Sequence, residues 1–294
     1  MIAEKGAGRR LRTRSLFTGP TLFAFITVMV VPFLYGIYLT FTNWDGISTS
    51  QSLVGFQNYA SVFKDTEFWK SFGLTIKYVI FSVVLTNVIA FLLAYVLTKG
   101  LKGQSVFRAG FFVPNLVGGI VLGFIWQFIF NHVLVYLGQK AGIALFSASW
   151  LSDPSKAFWT LVIVTVWQHA GYMMVIYVAG LMGVPNDILE AASIDGATGW
   201  TKLRKMVLPL IVPSFIVCIF LSLQRGFMVY DVNIALTKGG PFKSTELVSM
   251  HVYQKAFLSR DYGVGQAEAF VLFLLVAAVT LLQVYFSKKL EVEA

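Results

Sequence analysis

Charge is what this sequence has least of. Only 13% of its 294 residues are Asp, Glu, Lys or Arg, about half the roughly 25% of an ordinary soluble domain. That scarcity excludes a soluble enzyme, a nucleic-acid-binding protein and a disordered chain, because so few charges cannot keep this much apolar surface in water. Cysteine is nearly absent as well. Cys218 stands alone, which rules out an intrachain disulfide framework and a cysteine-based zinc site. The three histidines, His132, His169 and His251, fall on different segments and form no nucleophile–base constellation. No Gly-x-x-x-x-Gly-Lys-Ser/Thr phosphate loop occurs, so the usual nucleotide-hydrolysing chemistry is not expected of this chain. What remains is 57% hydrophobic and 16% aromatic, with a mean hydropathy of +0.73. A formal charge of +9 built from so few ions reads as membrane orientation.

A bilayer core of about 30 Å takes about 20 helical residues to cross. Six stretches qualify: Leu16–Phe41, Phe72–Leu97, Phe107–Phe130, Ala157–Leu181, Leu208–Tyr230 and Gly263–Phe286. All are too long for the alternating strands of an outer-membrane barrel, so the fold class is all-α, a polytopic six-helix membrane protein. The first stretch follows Arg9, Arg10, Arg12 and Arg14 but is longer than a signal-peptide core and lacks a cleavage site. Lys and Arg number 13 in the amino-terminal segment, the second-to-third and fourth-to-fifth connections and the tail, against 8 in the other, longer connections. Both termini are therefore expected in the cytoplasm. The expected organisation is a basic cytoplasmic segment over 1–15, a membrane domain over 16–287 with a cytoplasmic loop at 183–207, and a cytoplasmic tail over 288–294.

Within the spans, Pro32, Pro114, Pro209 and Pro213 predict kinks, since each removes a helix hydrogen bond. Gly118, Gly119, Gly123 and Gly171 would let helices approach closely. The connection Met182–Val207 is long for so apolar a chain. Asp187 and Glu190 have capping-box spacing after Pro185. A short helix over about Asp187–Asp195, stopped by Gly196, is predicted, with Ala191, Ala192 and Ser193 as a smooth surface for another protein.

The run Glu190-Ala191-Ala192-Ser193-Ile194-Asp195-Gly196-Ala197, followed by Leu203, Met206, Leu208-Pro209 and Pro213, resembles the EAA loop of membrane subunits of binding-protein-dependent ABC importers. Leu203 stands where Phe is usual in that family and Met206 where Ile is usual. A second set narrows the likeness. Leu236-Thr237-Lys238-Gly239-Gly240-Pro241, Thr245, Tyr253, Ala256-Phe257 and Gly263-x-Gly265-Gln266-Ala267 resemble the maltose and multiple-sugar branch. Gly55-Phe56-x-Asn58-Tyr59, Phe112-Val113-Pro114 and Trp150-x-Ser152-Asp153-Pro154 agree with it, so the resemblance covers about Phe17–Phe286.

The resemblance implies a type I importer permease that moves carbohydrate, an oligosaccharide by preference, by alternating access. Monosaccharide, polyol and glycerol-phosphate cargoes stay open. Glu190, Ala191, Ala192, Asp195 and Gly196 would couple the chain to a separate ATPase. No cofactor is expected on this chain; ATP and Mg would sit on that partner. The expected partners are a second, homologous permease (a heterodimer), two cytoplasmic ATPase subunits, an extracellular or periplasmic solute-binding protein and membrane lipid, in a bacterial or archaeal cytoplasmic membrane, and no nucleic acid. The external connections Asn43–Lys70, Asn131–Lys156 and Asp231–Tyr262 would receive the binding protein.

Polar side chains in spans are costly and face a cavity or a partner. The favoured substrate-path set is Asn115, Thr165, Gln168, His169, Ser222, Arg225 and Tyr230, with Trp126, Trp167 and Tyr172 as further aromatic faces for sugar rings. Each could instead serve an interhelical hydrogen bond, and for Arg225 pairing with a partner's acid is preferred to meeting an anionic sugar. An ion-gradient-driven transporter needs carboxylates inside its spans, and these spans offer only Glu268.

Overall fold

The computed structural model describes residues 16–48 and 51–289. The basic amino-terminal segment and residues 290–294 of the tail lie outside them. The chain divides into two compact units, residues 1–65 with 252–271 and residues 66–251 with 272–294. Among the described residues five helices are long and apolar enough to cross a membrane, or six if a bent helix pair is counted as one span.

In the first unit, α1 (Leu16–Leu39) contains a π-helical turn at Ile26–Val30, just ahead of Pro32. The proline has no N–H to give, and the wider turn is the form the predicted kink takes. The chain then folds back in a narrow loop, with Val54 N–H donating to Phe41 O at 2.8 Å, and enters α2 (Gln57–Lys64). Here the Gly55-Phe56-x-Asn58-Tyr59 motif acquires a reason. Gly55 takes φ +59°, and Asn58 donates to the carbonyls of Thr40 and Thr42 at 2.8 Å each. Tyr59 donates to the Thr40 hydroxyl at 2.9 Å. A Cβ at Gly263 would lie 2.1 Å from Thr42 O, so only glycine admits this approach.

The second unit begins with α3 (Thr66–Leu97) and α4 (Gln104–Phe112). The predicted third span, Phe107–Phe130, is not one helix. After α4 the chain makes a 3-10 turn at Val113–Leu116 around Pro114, runs extended through Val117 and Gly118, and only then forms α5 (Gly119–Ala141). Pro114 cannot donate, so the ladder is interrupted and the apolar run breaks rather than kinks. Next come α6 (Pro154–Met182), capped by Asp153 accepting from Lys156 N–H, and α7 (Asn186–Ile194). The predicted span Leu208–Tyr230 is also corrected. It consists of α8 (Gly199–Leu210) and α9 (Val212–Phe227), bent by 67° at Ile211. Pro209 and Pro213 bracket that bend, Pro213 in the first turn of α9, where a missing N–H costs nothing. The expected external loop Asp231–Tyr262 holds helical segments, α10 (Asp231–Leu236) and α11 (Val248–Tyr253). The last helix, α12, runs Tyr262–Lys288.

Within the second unit α6 is the hub, with 67% of its membrane-length window buried. Apolar side chains gain little by leaving lipid for protein, so helices associate there through close packing and hydrogen bonds. The sequence supplies the close packing. Ser214, Cys218, Ser222 and Gly226 recur every fourth residue along α9, and the last three are buried. Their small side chains let α9 approach α3 and α6, where Ala90, Ala94, Met173, Met174 and Tyr177 meet Cys218. Tyr177 donates to Asn87 at 2.8 Å, and Asn87 donates to Ser222 at 3.1 Å. Three of the four singled-out glycines are true contacts: a Cβ would come within 2.7 Å at Gly119, 2.5 Å at Gly123 and 1.8 Å at Gly171. Gly118 has open space around it and serves the extended backbone instead.

Candidate functional site

The first candidate is α7 and its exit. The predicted capping box does not form: Pro185 occupies the N-cap position with no side-chain cap. Asp187 still stands in the first turn, where a negative charge suits the helix dipole. At the other end the expected stop is present. Gly196 has φ +76°, its N–H donates to Ser193 O at 3.1 Å, and Ala197 N–H donates to Ala192 O at 2.9 Å. These two bonds make a Schellman termination, which satisfies carbonyls that would otherwise be orphaned.

Glu190, Ala191, Asp195 and Gly196 are exposed, whereas Ala192 is buried. The outward face instead includes Ile194, 87% exposed, and Trp200 beyond it, 69% exposed. Pattern reading passed over both, although an isoleucine and a tryptophan in a polar connection were the available signal. Lys202 donates to Ser193 Oγ, tying α8 back to α7, and Leu203 is buried beneath.

The second candidate is polar and lies among α6, α9 and the broken segment before α5. Arg225 Nη1 donates to Asn115 Oδ1 at 2.7 Å and lies 3.1 Å from His169 Nδ1. The guanidinium sits 4.7 Å over the Tyr172 ring, a cation–π contact. Three predicted path residues, Asn115, His169 and Arg225, thus meet at one point. Gln168, His169, Arg225 and Tyr230 also line a cavity of about 430 Å³, together with Gln224 and Asp231. Asp231 was missed because it reads as the first residue of an external loop, and its position next to Tyr230 was the only hint.

Thr165 and Ser222 sit apart from that cavity. Thr165 accepts from Tyr78 at 2.7 Å, Ser222 accepts from Asn87, and both border a chamber of about 10 Å³ shared with His169. That is close to the smallest volume that holds one water. Trp126 and Trp167 meet edge to face at 5.3 Å and line no part of the polar cavity, so Tyr172 and Tyr230 are the aromatic groups near it.

Membrane-length apolar helices with an open polar groove beside α6 and α9 define a polytopic membrane protein. The chain belongs to the family described as "Binding-protein-dependent transport system inner membrane component", which it matches over residues 86–292. It is the permease component of an ABC importer, not an enzyme, and sits in the carbohydrate branch. It is 41% identical over 278 residues to the "probable starch degradation products transport system permease protein AmyD" of Thermoanaerobacterium thermosulfurigenes, covering 95% of this chain and 94% of that one. It is 30% identical to the "trehalose/maltose transport system permease protein MalF" of Thermococcus litoralis, covering 95% of each. In fold it is similar to a chain of a bacterial ABC transporter involved in import of the acidic polysaccharide alginate. That match has a TM-score of 0.82 and 18% identity, and covers 98% of this chain and 99% of the other.

Proposed function

We propose that this permease carries oligosaccharides through the cavity lined by Gln168, His169, Arg225 and Tyr230, and that α7 couples the passage to ATP hydrolysis on a separate subunit. The observation that carries the coupling reading is the Schellman-capped, outward-facing α7 at the EAA sequence. A short helix closed at its far end moves as one body, and the 67° bend at Ile211 gives that motion a direction into α9, whose residue Arg225 borders the cavity. Two cytoplasmic ATPase subunits, which hold ATP and Mg, would grip α7. A second, homologous permease would complete the passage as a heterodimer, and an extracytoplasmic solute-binding protein would deliver the sugar. Relatives named for starch degradation products and for trehalose/maltose support this cargo. The excess of Lys and Arg on one set of connections supports placing both termini and α7 in the cytoplasm of a bacterial or archaeal cell.

The cavity suits a sugar in chemical terms. Amides, an imidazole and a carboxylate exchange hydrogen bonds with hydroxyls, and the Tyr230 ring offers a face for C–H groups. One feature favours a second cargo class, acidic saccharides: the groups hydrogen-bonded to Arg225 are an amide and an imidazole, leaving its charge available to an anion. Reconstitution of the permease pair with its ATPase and solute-binding protein tests the central reading. Sugar uptake should require ATP, and uptake that persists without ATP but follows a proton or sodium gradient overturns it.

A further inference from the structure

The chamber of about 10 Å³ between α3, α6 and α9 is bounded by Ser82, Thr86, Thr165, His169, Ser222 and Gly226. From α9 it receives only the small residues Ser222 and Gly226, which leaves the space open, and the four hydroxyl-bearing residues around it are buried. Their hydrogen bonds leave a defined remainder. Ser82 donates to Val79 O at 3.2 Å. Ser222 donates to Cys218 O at 2.7 Å and accepts from Asn87. Thr165 accepts from Tyr78, so its own hydroxyl hydrogen is still to be placed. Thr86 is 1% exposed, and its hydroxyl takes part in none of these bonds. His169 separates the chamber from the polar cavity, since it borders both. Arg225 Nη1 lies 3.1 Å from His169 Nδ1, and a guanidinium can only donate. Nδ1 is therefore the acceptor, and the imidazole proton sits on Nε2. Arg225 lines the cavity and not the chamber. The two ring nitrogens stand on opposite sides, so Nε2–H is the one turned toward the hydroxyls.

We infer that the chamber is a binding site for one ordered water molecule, and that through it Thr86 acts as a positioning residue for His169 and Arg225. The water accepts from His169 Nε2–H and the Thr165 hydroxyl and donates to Thr86 and Ser222. A buried water needs about this volume and two to four polar partners. An N–H left unpaired inside a membrane protein is costly, because lipid offers it no acceptor. A metal ion does not fit: no carboxylate lines the chamber, and the Arg225 guanidinium stands behind the ring with like charge. Held at both nitrogens, the imidazole cannot turn, and Arg225 keeps its place over Tyr172. Thr86 lines no part of the cavity, so its influence there passes through the water. The effect on uptake rests on reading that cavity as the sugar route; the water itself does not.

The test uses the assembled importer, imaged at a resolution that shows ordered waters. Solid-state NMR with isotope-labelled histidine reads the tautomer, and His169→Gln identifies the signal among the three histidines. Wild type should show one molecule in the chamber and the proton on Nε2; both readouts stand even if a variant fails to assemble. Thr86→Val keeps the side chain's shape but replaces its hydroxyl with a methyl group. It should remove the water, shift the His169 Nε2 signal and raise the KM for uptake about fivefold, the worth of one neutral hydrogen bond, with kcat unchanged. Thr86→Ser should restore all three. An unfilled chamber or a proton on Nδ1 in wild type overturns the water site. If Arg225→Lys raises the KM and Thr86→Val does not, the positioning role alone is overturned. If neither raises it, the route reading falls and takes the positioning role with it.

Discussion

Gly171→Ala is the sharpest single perturbation. An added Cβ would sit 1.8 Å from Phe111 O and 2.4 Å from Phe111 C. Both obstacles are backbone, so no side chain can rotate out of the way. Reaching the 3.4 Å of ordinary contact from 1.8 Å requires α4 and α6 to separate by roughly 1.6 Å, in an interior that is close-packed. Overpacking of this severity costs about 3 kcal/mol, against which alanine's better helix propensity returns about 1 kcal/mol. The net loss of about 2 kcal/mol corresponds to a more than tenfold fall in the correctly packed population. Asn115 follows α4 by three residues, so the same displacement carries its amide beyond hydrogen-bonding reach of Arg225, now 2.7 Å away. Gly110→Ala is the matched control, because nothing lies within 4 Å of a Cβ there and the propensity gain stands alone. Thermal unfolding of the assembled complex in detergent, followed by fluorescence, should place Gly171→Ala well below wild type and Gly110→Ala at or above it. ATP-driven uptake should fall only for Gly171→Ala. Equal midpoints and equal uptake for the two variants would refute the packing argument.

Other perturbations have equally definite outcomes. At Gly196 a Cβ meets open space, so cost arises only from its φ of +76°: alanine should lose about 1 kcal/mol and asparagine less, while valine loses most. Sugar uptake per ATP hydrolysed should follow that order, and a Gly196→Val complex that stays fully coupled would remove the lever. Gly196→Asp adds a charge at the docking face and should uncouple hydrolysis from uptake even though an aspartate tolerates the turn. Arg225→Lys keeps the charge but loses the planar stack on Tyr172, so it should raise the KM for uptake about tenfold with hydrolysis intact. An unchanged KM would show that the cluster does not border the route. In the connection after α1, backbone N–H groups of Ser48 and Ile47 and the Ser48 hydroxyl hold the Asp45 carboxyl well below the usual range, at about 2. Its folded pKa is depressed, so the support it gives the turn is complete above about pH 4 and is lost as pH falls toward 2. Amide exchange at Ile47 and Ser48 should accelerate across that window, and Asp45→Asn should flatten the profile.

The spans were readable because length and hydropathy act over some twenty residues at once, and α1, α3, α6 and α12 lie close to their predicted bounds. The breaks were not readable in the same way. Prolines 114, 209 and 213 announce lost hydrogen bonds, but whether a helix kinks, widens or stops depends on neighbouring groups. Gln168, for instance, donates to Val117 O at 3.2 Å, a partner 51 residues away. Both ends of α7 were legible to within a residue, the far end because Gly196 supplies a local conformation and the near end because Pro185 marks the boundary, but the Asp187–Glu190 capping box does not form. At the polar cavity residue type sufficed to nominate Asn115, His169 and Arg225, as a membrane penalises such groups wherever they stand. Separating them from Thr165 and Ser222 took the register between helices, which sequence periodicity does not carry.

The broken stretch at Val113–Gly118 has a consequence for biogenesis. The carbonyl of Val117 meets the middle of α6 instead of a helical N–H, at a place where lipid would offer no donor. Val117 is satisfied by Gln168, so a nascent chain released from the translocon before Gln168 has been synthesised carries an orphaned carbonyl into hydrocarbon. Residues 104–141 on their own would therefore carry the cost of one unpaired carbonyl, about 1–3 kcal/mol, which α6 removes.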